Sequence, residues 1–260
     1  MTERALETLA SVRWIAAEDT RHTRRLLAHF GLSTPLFSSR AANEDERARE
    51  IVRRLERGES GALVVDAGSP AISDPGERVV RAVVEAGLSV RAVPGPSALV
   101  AALSVSGLST AAFTFGGFLP TRAGVRDRRL AEWLGRAETL VLFEAPHRVR
   151  ATLAALARIA PGRAVAACRE LTKLHEEVLR GPVEAVLAQV TDERERGEWV
   201  LVVAGSSPTG KSTAADAADA ADAADARERF VAAQIATGAT PEEARRRAEF
   251  VLGTGRRRKS

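Results

Sequence analysis

Residues 62–76 read ALVVDAGSPAISDPG, an apolar run that passes directly into a loop with two glycines, two prolines and two aspartates. A short apolar run rich in valine predicts a buried strand over residues 62–66. The glycines and prolines after it predict a rigid loop whose backbone can approach a ligand closely. The apolar spacing of residues 77–86 then predicts a helix. A tight structural turn, with Pro75 in the first turn of that helix, is the alternative interpretation of the loop.

Strands alternate with helices along most of the chain, which predicts an α/β fold with mostly parallel sheets covered by helices on both faces. In such folds the functional loops lie at the carboxyl ends of the strands. The predicted strands cover residues 12–17, 62–66, 89–93, 139–143, 163–168, 178–180 and 198–204, with a further aromatic strand from residue 113. The predicted helices cover residues 2–9, 20–30, 43–57, 77–86, 97–106, 147–159 and 183–190.

A Gly-Gly-Phe-Leu-Pro exit at residues 116–120 ends the first series of elements, and we place a domain boundary there. The predicted organisation is an N-terminal α/β domain, a C-terminal α/β domain, an Ala/Asp-rich linker and a small, basic, helical tail. Two short amphipathic helices are expected in that tail, over residues 226–236 and 241–251. The four parts span residues 1–119, 120–205, 206–226 and 227–260.

The composition is that of an ordinary globular protein. Of the 260 residues, 45% are hydrophobic and 28% are charged, which excludes a disordered or collagen-like chain. The sequence has one cysteine, Cys168, no secretory leader pattern and no apolar run near the ~20 residues of a membrane-spanning helix. We therefore expect a cytoplasmic protein with no membrane partner, and an inert, buried Cys168.

The net charge of +4 is concentrated at one end of the chain. Residues 227–260 contain nine Arg and Lys against four Glu, a net +5, whereas residues 1–226 carry −1. A basic tail of this kind is typical of a protein with a nucleic-acid partner. A solvated terminus without a partner is the alternative.

Three familiar ligand motifs are absent or lack the context that they need. The loop VPGPSA at residues 93–98 follows a predicted strand, yet neither it nor the 66–76 loop has the Gly-x-Gly-x-x-Gly pattern of dinucleotide sites. Gly205–Ser212 matches the spacing of a phosphate-binding Walker A loop, but no later strand follows, so we interpret the match as a coincidence. The four histidines lack a metal-binding spacing, so no metal site is expected.

Six motifs in order resemble those of the small-subunit (16S) ribosomal RNA cytidine 2′-O-methyltransferases, a branch of the tetrapyrrole methylase superfamily. Three of them are typical of the RNA-modifying branch: Glu18-Asp19-Thr20-Arg21, Ala145-Pro146-His147-Arg148 and Arg169-Glu170-Leu171-Thr172-Lys173. The others are the 66–76 loop and the segments at 94–98 and 116–120. The resemblance covers about residues 3–205.

The resemblance implies a two-domain, tetrapyrrole-methylase-like α/β fold, a homodimer, and S-adenosylmethionine bound in the cleft between the domains. It also implies methylation of a cytidine ribose in the decoding region of small-subunit ribosomal RNA, with the 30S subunit as partner. Carried over by matching motif, the cofactor-binding residues are Ala67, Gly68, Ser69, Ile72, Ser97, Ala98, Glu144 and Leu171.

Methyl transfer to a ribose hydroxyl requires that the two reactants are aligned and that a weakly acidic proton is removed. Asp19, Asp66, Glu170 and Lys173 follow predicted strands beside the expected cleft, and we favour Asp19 and Lys173 as catalytic residues. The residues expected to hold RNA phosphates are Arg21, Arg24, Arg148 and Arg169.

The chain departs from the family at its start, where members have a further strand and a Thr-Pro-Ile-Gly-Asn-like turn before the first helix. We therefore expect a gap in the first sheet and an open wall in the cofactor cleft, with a misassigned start or a truncation as the hypothesis. Two other functions stay open: a tetrapyrrole, precorrin-like C-methyltransferase, and a catalytically impaired RNA-binding remnant.

Overall fold

The computed structural model describes residues 1–206 and 228–251. Residues 1–206 belong to one unit and contain two sheets. The first sheet is short and fully parallel, with strand order β2-β1-β3. Its strands are β1 (Trp14–Ala17), β2 (Leu36–Ser38) and β3 (Gly61–Val64), and the helices around it are α1 (Glu3–Ser11), α2 (Thr20–His29), α3 (Glu44–Glu56) and α4 (Glu77–Glu85).

The central strand β1 is buried on both faces, as the middle strand of a parallel sheet should be. Trp14 and Ala16 pack against α3 and α4, and Ile15 and Ala17 pack against α1 and α2. Because successive side chains of a strand point to opposite faces, a run of four apolar residues covers both layers. Because the three strands are parallel, their carboxyl ends lie at one edge of the sheet.

The second sheet has the strand order β4-β5-β8-β6-β7 and is mixed. Among the neighbouring pairs of described strands in this sheet, only β4–β5 is parallel, whereas β8 is antiparallel to both β5 and β6, and β7 is antiparallel to β6. The strands are β4 (Phe113–Phe118), β5 (Thr139–Glu144), β6 (Ala164–Arg169), β7 (Glu177–Pro182) and β8 (Trp199–Val203). The helices are α5 (Ala98–Ser106), α6 (Ala123–Leu134), α7 (Val149–Ile159) and α8 (Val183–Gln189).

The α/β class is confirmed, but the expectation of mostly parallel sheets is wrong for the second one. Residues 170–176, which join β6 to β7, are too few for the crossover that a parallel pair requires. One face of this sheet packs on α5 through Ala102 and Leu103, and the other face carries α6, α7 and α8. Cys168 lies in the α5-facing layer and is 0% exposed.

Two further differences concern the region between the sheets. Residues 89–93, expected as a strand, lie outside helix and strand, and Val90 and Val93 are 49% and 36% exposed. Within the described chain β3 pairs only with β1, and residues 89–93 do not pair with its free edge. The strand β4 pairs with β5 in the second sheet, although the boundary placed after residue 119 assigned it to the first domain.

Residues 228–251 belong to a second unit, and both helices expected there are present. They are α9, at residues 228–236, and α10 (Pro241–Val251). Thr240 Oγ1 accepts from Glu243 N at 3.3 Å while Glu243 Oε2 accepts from Thr240 N at 3.0 Å, a reciprocal cap at the start of α10. The Ala/Asp-rich linker and the basic end of the tail lie outside the described residues, as does the Walker-like match beyond Ser206.

No helix in the described ranges combines the length and the apolar character needed to cross a membrane.

Gly61 offers a test of the packing at the start of β3. A Cβ atom at Gly61 would lie 2.1 Å from Cη2 of Trp14, whose ring is 4% exposed and packs on Phe37 at 5.4 Å between ring centroids. We expect Gly61→Ala to lower the free energy of unfolding by about 1–3 kcal/mol, because the buried indole has to move. Chemical denaturation monitored by tryptophan fluorescence measures this change.

Gly124 in α6 provides the matched control, because a Cβ there meets no atom within 4 Å. Gly124→Ala should leave stability unchanged or raise it by up to about 1 kcal/mol, through the lower entropy of the unfolded chain. Equal effects of the two substitutions would contradict the packing described for Trp14.

Candidate active site

The carboxyl edge of the first sheet faces two adjoining cavities. The first, here called the apolar cavity, has a volume of about 470 Å³ and lies between the first sheet's loops and the second sheet. The second, here called the polar cavity, has a volume of about 630 Å³ and opens over the ends of β1, β2 and β3. Among the described residues, only Ser73 and Asp74 line both. The loop after β3 is therefore the wall that the two cavities share.

The apolar cavity is lined by segments from both sheets. Seven of the eight cofactor-binding residues predicted from the sequence line it: Ala67, Gly68, Ser69, Ile72, Ser97, Ala98 and Glu144. The eighth, Leu171, packs instead against the buried cluster that contains Val200. The remaining lining residues are Ser73, Asp74, Leu99, Phe118, Phe143, Ala145, Pro146, Gly197, Glu198, Trp199 and Val200.

Aromatic rings at the ends of β4 and β5 form one side of this cavity. The ring centroids of Phe118 and Phe143 are 5.7 Å apart, and those of Phe115 and Phe143 are 4.9 Å apart. Phe118 is 54% exposed. The exposed ring and the small residues opposite it suit a flat, partly apolar ligand.

The backbone of the shared loop is held in an uncommon conformation. Ala71 and Ser73 have φ values of 70° and 62°, in the left-handed region that residues other than glycine rarely adopt. The buried carboxylate of Glu44 holds the end of this loop, since Glu44 Oε1 accepts from Gly76 N at 2.8 Å and from Arg78 N at 3.0 Å. The loop is therefore fixed from α3 before any ligand binds.

A second loop with the same kind of strain follows β6. Glu170 and Thr172 have φ values of 48° and 66° and, with Ala71 and Ser73, are all the non-glycine residues of positive φ in the described chain. Glu170 Oε1 accepts from Lys173 Nζ at 2.8 Å and from Glu198 N at 2.8 Å. Such outliers cluster at functional sites, and both loops adjoin the apolar cavity.

Lys173 lies beside the apolar cavity without lining it. Its ammonium is 2.8 Å from Glu170 and 3.2 Å from Oε2 of the cavity residue Glu198. The hydrogen bond with Glu170 raises the pKa of Lys173, and the same bond lowers the pKa of Glu170. Lys173 is therefore a cation that orients two glutamates, and it has no lone pair to accept a proton at neutral pH.

Asp19 lines the polar cavity and caps α2. Its Oδ1 accepts from Arg21 N at 2.8 Å, and its Oδ2 accepts from Arg21 Nη2 at 2.8 Å. The hydrogen bonds with Arg21 hold the pKa of Asp19 well below its usual range. A carboxylate with so low a proton affinity is a weak general base.

Glu144 and Arg148 face the interior of the protein. The Glu144 carboxylate accepts from Thr152 Oγ1 at 2.6 Å and from Ala145 N at 2.9 Å, and Arg148 Nε lies 3.3 Å from it. Arg148 Nη2 also donates to the Leu119 carbonyl at 2.7 Å. These two side chains join the ends of β4 and β5 to α7, so they hold the cavity wall in place.

The predicted phosphate-binding arginines fall into two pairs. Arg148 and Arg169 are engaged with the protein, since Arg169 Nε donates to the Arg196 carbonyl at 2.9 Å. Arg21 lines the polar cavity and its side chain is 80% exposed, whereas Arg24 is exposed on α2 without lining the cavity. Among the described residues no hydrogen bond or ion pair engages the side chain of Arg24.

The polar cavity collects charged groups from several elements. Burial, and then the charges of Glu18 and Asp66, raise the pKa of Asp74. The lining residues are Glu18, Asp19, Arg21, Arg40, Ala41, Ala42, Glu44, Asp66, Ser73, Asp74, Pro75, Glu77 and Arg78.

Three of the residues that sequence reasoning missed share one structural cause. Gly197, Glu198 and Trp199 precede or begin β8, and an antiparallel strand brings its amino end to the edge where parallel strands bring their carboxyl ends. Because a mostly parallel sheet was expected, site residues were predicted only at the carboxyl ends of strands. The pairing of Glu144 with Trp199 shows the two ends side by side.

Two negative expectations concern Cys168 and metals. Burial raises the pKa of the Cys168 thiol to about 11, so it stays protonated near neutral pH. In the described part of the chain, no group of three or more His, Cys, Asp or Glu side chains is placed to hold a metal ion.

Comparison with known proteins agrees with the motif resemblance. The family model described as "Tetrapyrrole (Corrin/Porphyrin) Methylases" matches residues 1–187. A Xylella fastidiosa (strain Temecula1) protein named "Ribosomal RNA small subunit methyltransferase I" is 50% identical over 80% of this chain and 77% of its own length. Proteins of the same name from Synechocystis and Bacillus subtilis are 44% and 38% identical, over 83% and 95% of this chain and 78% and 84% of their own.

Solved structures show the same fold at low identity. Uroporphyrin-III C-methyltransferase from Thermus thermophilus, complexed with S-adenosylhomocysteine, is 18% identical with a TM-score of 0.53, over 78% of this chain and 90% of its own. A diphthine synthase is 16% identical with a TM-score of 0.56, over 79% of this chain and 84% of its own. The fold predicted from the motifs is confirmed, and the chain belongs to the tetrapyrrole methylase family, together with the relatives named ribosomal RNA small subunit methyltransferase I.

Proposed function

We propose that this chain is an S-adenosylmethionine-dependent methyltransferase that methylates the 2′-hydroxyl of a cytidine in the decoding region of small-subunit ribosomal RNA. One observation carries the proposal: an apolar cavity of ligand size adjoins a polar, arginine-lined cavity across a single loop. A methyl donor and an RNA acceptor need two such neighbouring sites. The names of the relatives indicate the same class of substrate.

The residues of the apolar cavity fit S-adenosylmethionine, which would supply a methyl group bonded to a positively charged sulfur. A volume of about 470 Å³ is within the usual range for cofactor sites. Phe118 and Phe143 suit an adenine ring, and the amino end of α5 at Ala98 offers backbone N–H groups to a carboxylate. Glu198 carries a negative charge suited to the cationic parts of the ligand.

Asp19 and Lys173, the catalytic candidates from the sequence, are proposed here as positioning residues. The directions of their pKa shifts disfavour both as proton acceptors. Asp19 orients Arg21 at the polar cavity, and Lys173 orients Glu198 at the apolar cavity.

Arg21 and Arg24 are proposed to contact RNA phosphates, because both are exposed on α2 and Arg21 lines the polar cavity. Arg148 and Arg169 are proposed to stabilise the loops that carry the site. The proposal includes a 30S subunit substrate and a homodimer, which the resemblance implies, and a cytoplasmic location, which the single cysteine and the lack of a secretory leader pattern favour.

A transfer assay tests the proposed function directly. Incubation of the full chain with methyl-labelled S-adenosylmethionine and unmethylated small ribosomal subunits should place label in the RNA, at a cytidine 2′-oxygen. Nuclease digestion followed by mass spectrometry locates the modified nucleotide. Label only in a uroporphyrinogen- or precorrin-like acceptor would contradict the proposal, and RNA binding without transfer would indicate a binding remnant.

Removal of the two α2 arginines should weaken RNA binding selectively. We expect Arg21→Ala with Arg24→Ala to reduce the slope of log K against log salt by about one to two, the loss of one or two phosphate contacts. The dissociation constant for S-adenosylmethionine should stay unchanged, as measured by calorimetry. Arg53→Ala, an exposed arginine of α3 that lines neither cavity, is the control. An unchanged salt slope in the double variant would exclude these contacts.

Removal of residues 227–260 tests the role of the basic tail. Because this segment carries a net +5, its deletion should weaken RNA binding and lower the salt slope. Cofactor binding should be unaffected, since the apolar cavity is formed within residues 67–200. Filter binding across a salt series measures the effect, and a slope equal to that of the full chain would eliminate the tail as a phosphate contact.

A further inference from the structure

Asp74 occupies a place that no other ionisable residue of the site shares. It lines both the apolar and the polar cavity, and in the described part of the chain only Ser73 does the same. A group that accepts the acceptor's proton must face the acceptor while lying close to the methyl donor. Position alone therefore singles out Asp74 among the carboxylates around the two cavities.

The carboxylates around the two cavities also differ in their hydrogen bonds. Glu44 binds two backbone N–H groups, Glu144 binds Thr152, and Glu18 accepts from Asp66 N at 3.3 Å. The carboxylates of Asp19, Glu77 and Glu198 pair with Arg21, Arg81 and Lys173. In the described chain, the carboxylates of Asp66 and Asp74 accept no hydrogen bond. Their lone pairs are free for an incoming hydroxyl.

Asp66 and Asp74 differ in their surroundings. Asp66 is exposed and lines only the polar cavity, whereas Asp74 is partly buried. Burial, with the charges of Glu18 and Asp66, raises the pKa of Asp74 and so its affinity for a proton.

The charged groups that face Asp74 from other elements are largely paired elsewhere. Arg21 pairs with Asp19, Arg78 with Asp45, and Arg40 Nε donates to the Glu18 carbonyl at 3.2 Å. On the apolar side, Glu144 pairs with Arg148 and Glu198 with Lys173. None of these cations forms an ion pair with Asp74 in the described structure.

The geometry points to Asp74 as the catalytic base: the polar cavity receives the acceptor ribonucleotide, and the Asp74 carboxylate takes the proton from its 2′-hydroxyl. This inference rests on the proposed methyltransferase function and assigns a residue to it. The three arginines of the polar cavity, Arg21, Arg40 and Arg78, lie where the phosphates of the same nucleotide would be held.

The step balances without any further reactant. The bond between the ribose oxygen and the methyl carbon forms as the bond between that carbon and sulfur breaks. The electron pair of the broken bond stays on sulfur, which leaves as a neutral thioether. The hydroxyl proton moves to the Asp74 carboxylate and is released to solvent after the product departs.

Asp74→Asn tests the assignment in the full chain with small ribosomal subunits. We expect the single-turnover rate of transfer to fall by about 100-fold or more, the usual contribution of a general base. The dissociation constants for S-adenosylmethionine and for RNA, and the thermal unfolding midpoint, should stay near those of the unmodified chain. Asp74→Glu keeps a carboxylate and should recover part of the rate. Asp192→Asn, a 90%-exposed aspartate remote from both cavities, should have no effect.

Asp66→Asn provides a second test, the pH dependence of activity, which would not shift if Asp74 had only a structural role. It removes one of the negative charges that raise the pKa of Asp74. Because the base form exists above that pKa, activity falls as pH drops through it, and this acid limb should move to lower pH in Asp66→Asn. A full transfer rate in Asp74→Asn would overturn the proposal, and so would a loss of activity in Asp66→Asn as large as that of Asp74→Asn. No transfer by the unmodified chain would instead refute the proposed function itself.

Discussion

The buried carboxylate of Glu44 fixes the loop on which both cavities depend. It is 7% exposed, and it accepts hydrogen bonds from the backbone N–H groups of Gly76 and Arg78 at the start of α4. Such bonds are charge-assisted, and the amino end of a helix adds a favourable dipole. The same loop holds Ala71 and Ser73 at positive φ, at a cost of about 1–3 kcal/mol each. Without an anchor of this strength the loop would relax, and the wall between the two cavities would be lost.

The carboxylates of the site differ in pKa because their environments differ. Asp19 and Asp74 are the same kind of group and line the same polar cavity, yet the pKa of Asp19 is lowered by Arg21 while that of Asp74 is raised by burial and by Glu18 and Asp66. Separation of pKa values between neighbouring groups is how one site can hold a permanent anion and a proton acceptor together. The Asp19 carboxylate is hydrogen-bonded to Arg21 and positions it. The Asp74 carboxylate accepts no hydrogen bond in the described chain, so it is free to accept a proton.

Much of this arrangement could be predicted from sequence, because the loops after β3 and before α5 consist of small residues whose patterns are local. Seven of the eight cofactor residues that the family resemblance implied line the apolar cavity. The contribution of Glu198 and Trp199 could not be found in this way, since it depends on β8 entering the sheet antiparallel between β5 and β6. Residues 89–93 do not form the expected strand, because a strand depends on hydrogen bonds to another strand and an apolar pattern does not determine that pairing. The role of Asp19 depends on its contact with Arg21, and the role of Asp74 depends on the charges of Glu18 and Asp66. The spacing of residues in the sequence does not predict such side-chain interactions.

The proposed cofactor site is formed by the loop after β3 and the start of α5 together with the ends of β4, β5 and β8. A crystal structure of the full chain grown with S-adenosylhomocysteine would show whether the ligand binds there. We expect the ligand in the apolar cavity, in contact with the Ala67–Ile72 backbone, with Ser97 and Ala98, and with Phe118 or Phe143. Its sulfur should lie on the side of Ser73 and Asp74, toward the polar cavity. A ligand bound elsewhere, or one whose sulfur lies away from Asp74, would refute this site.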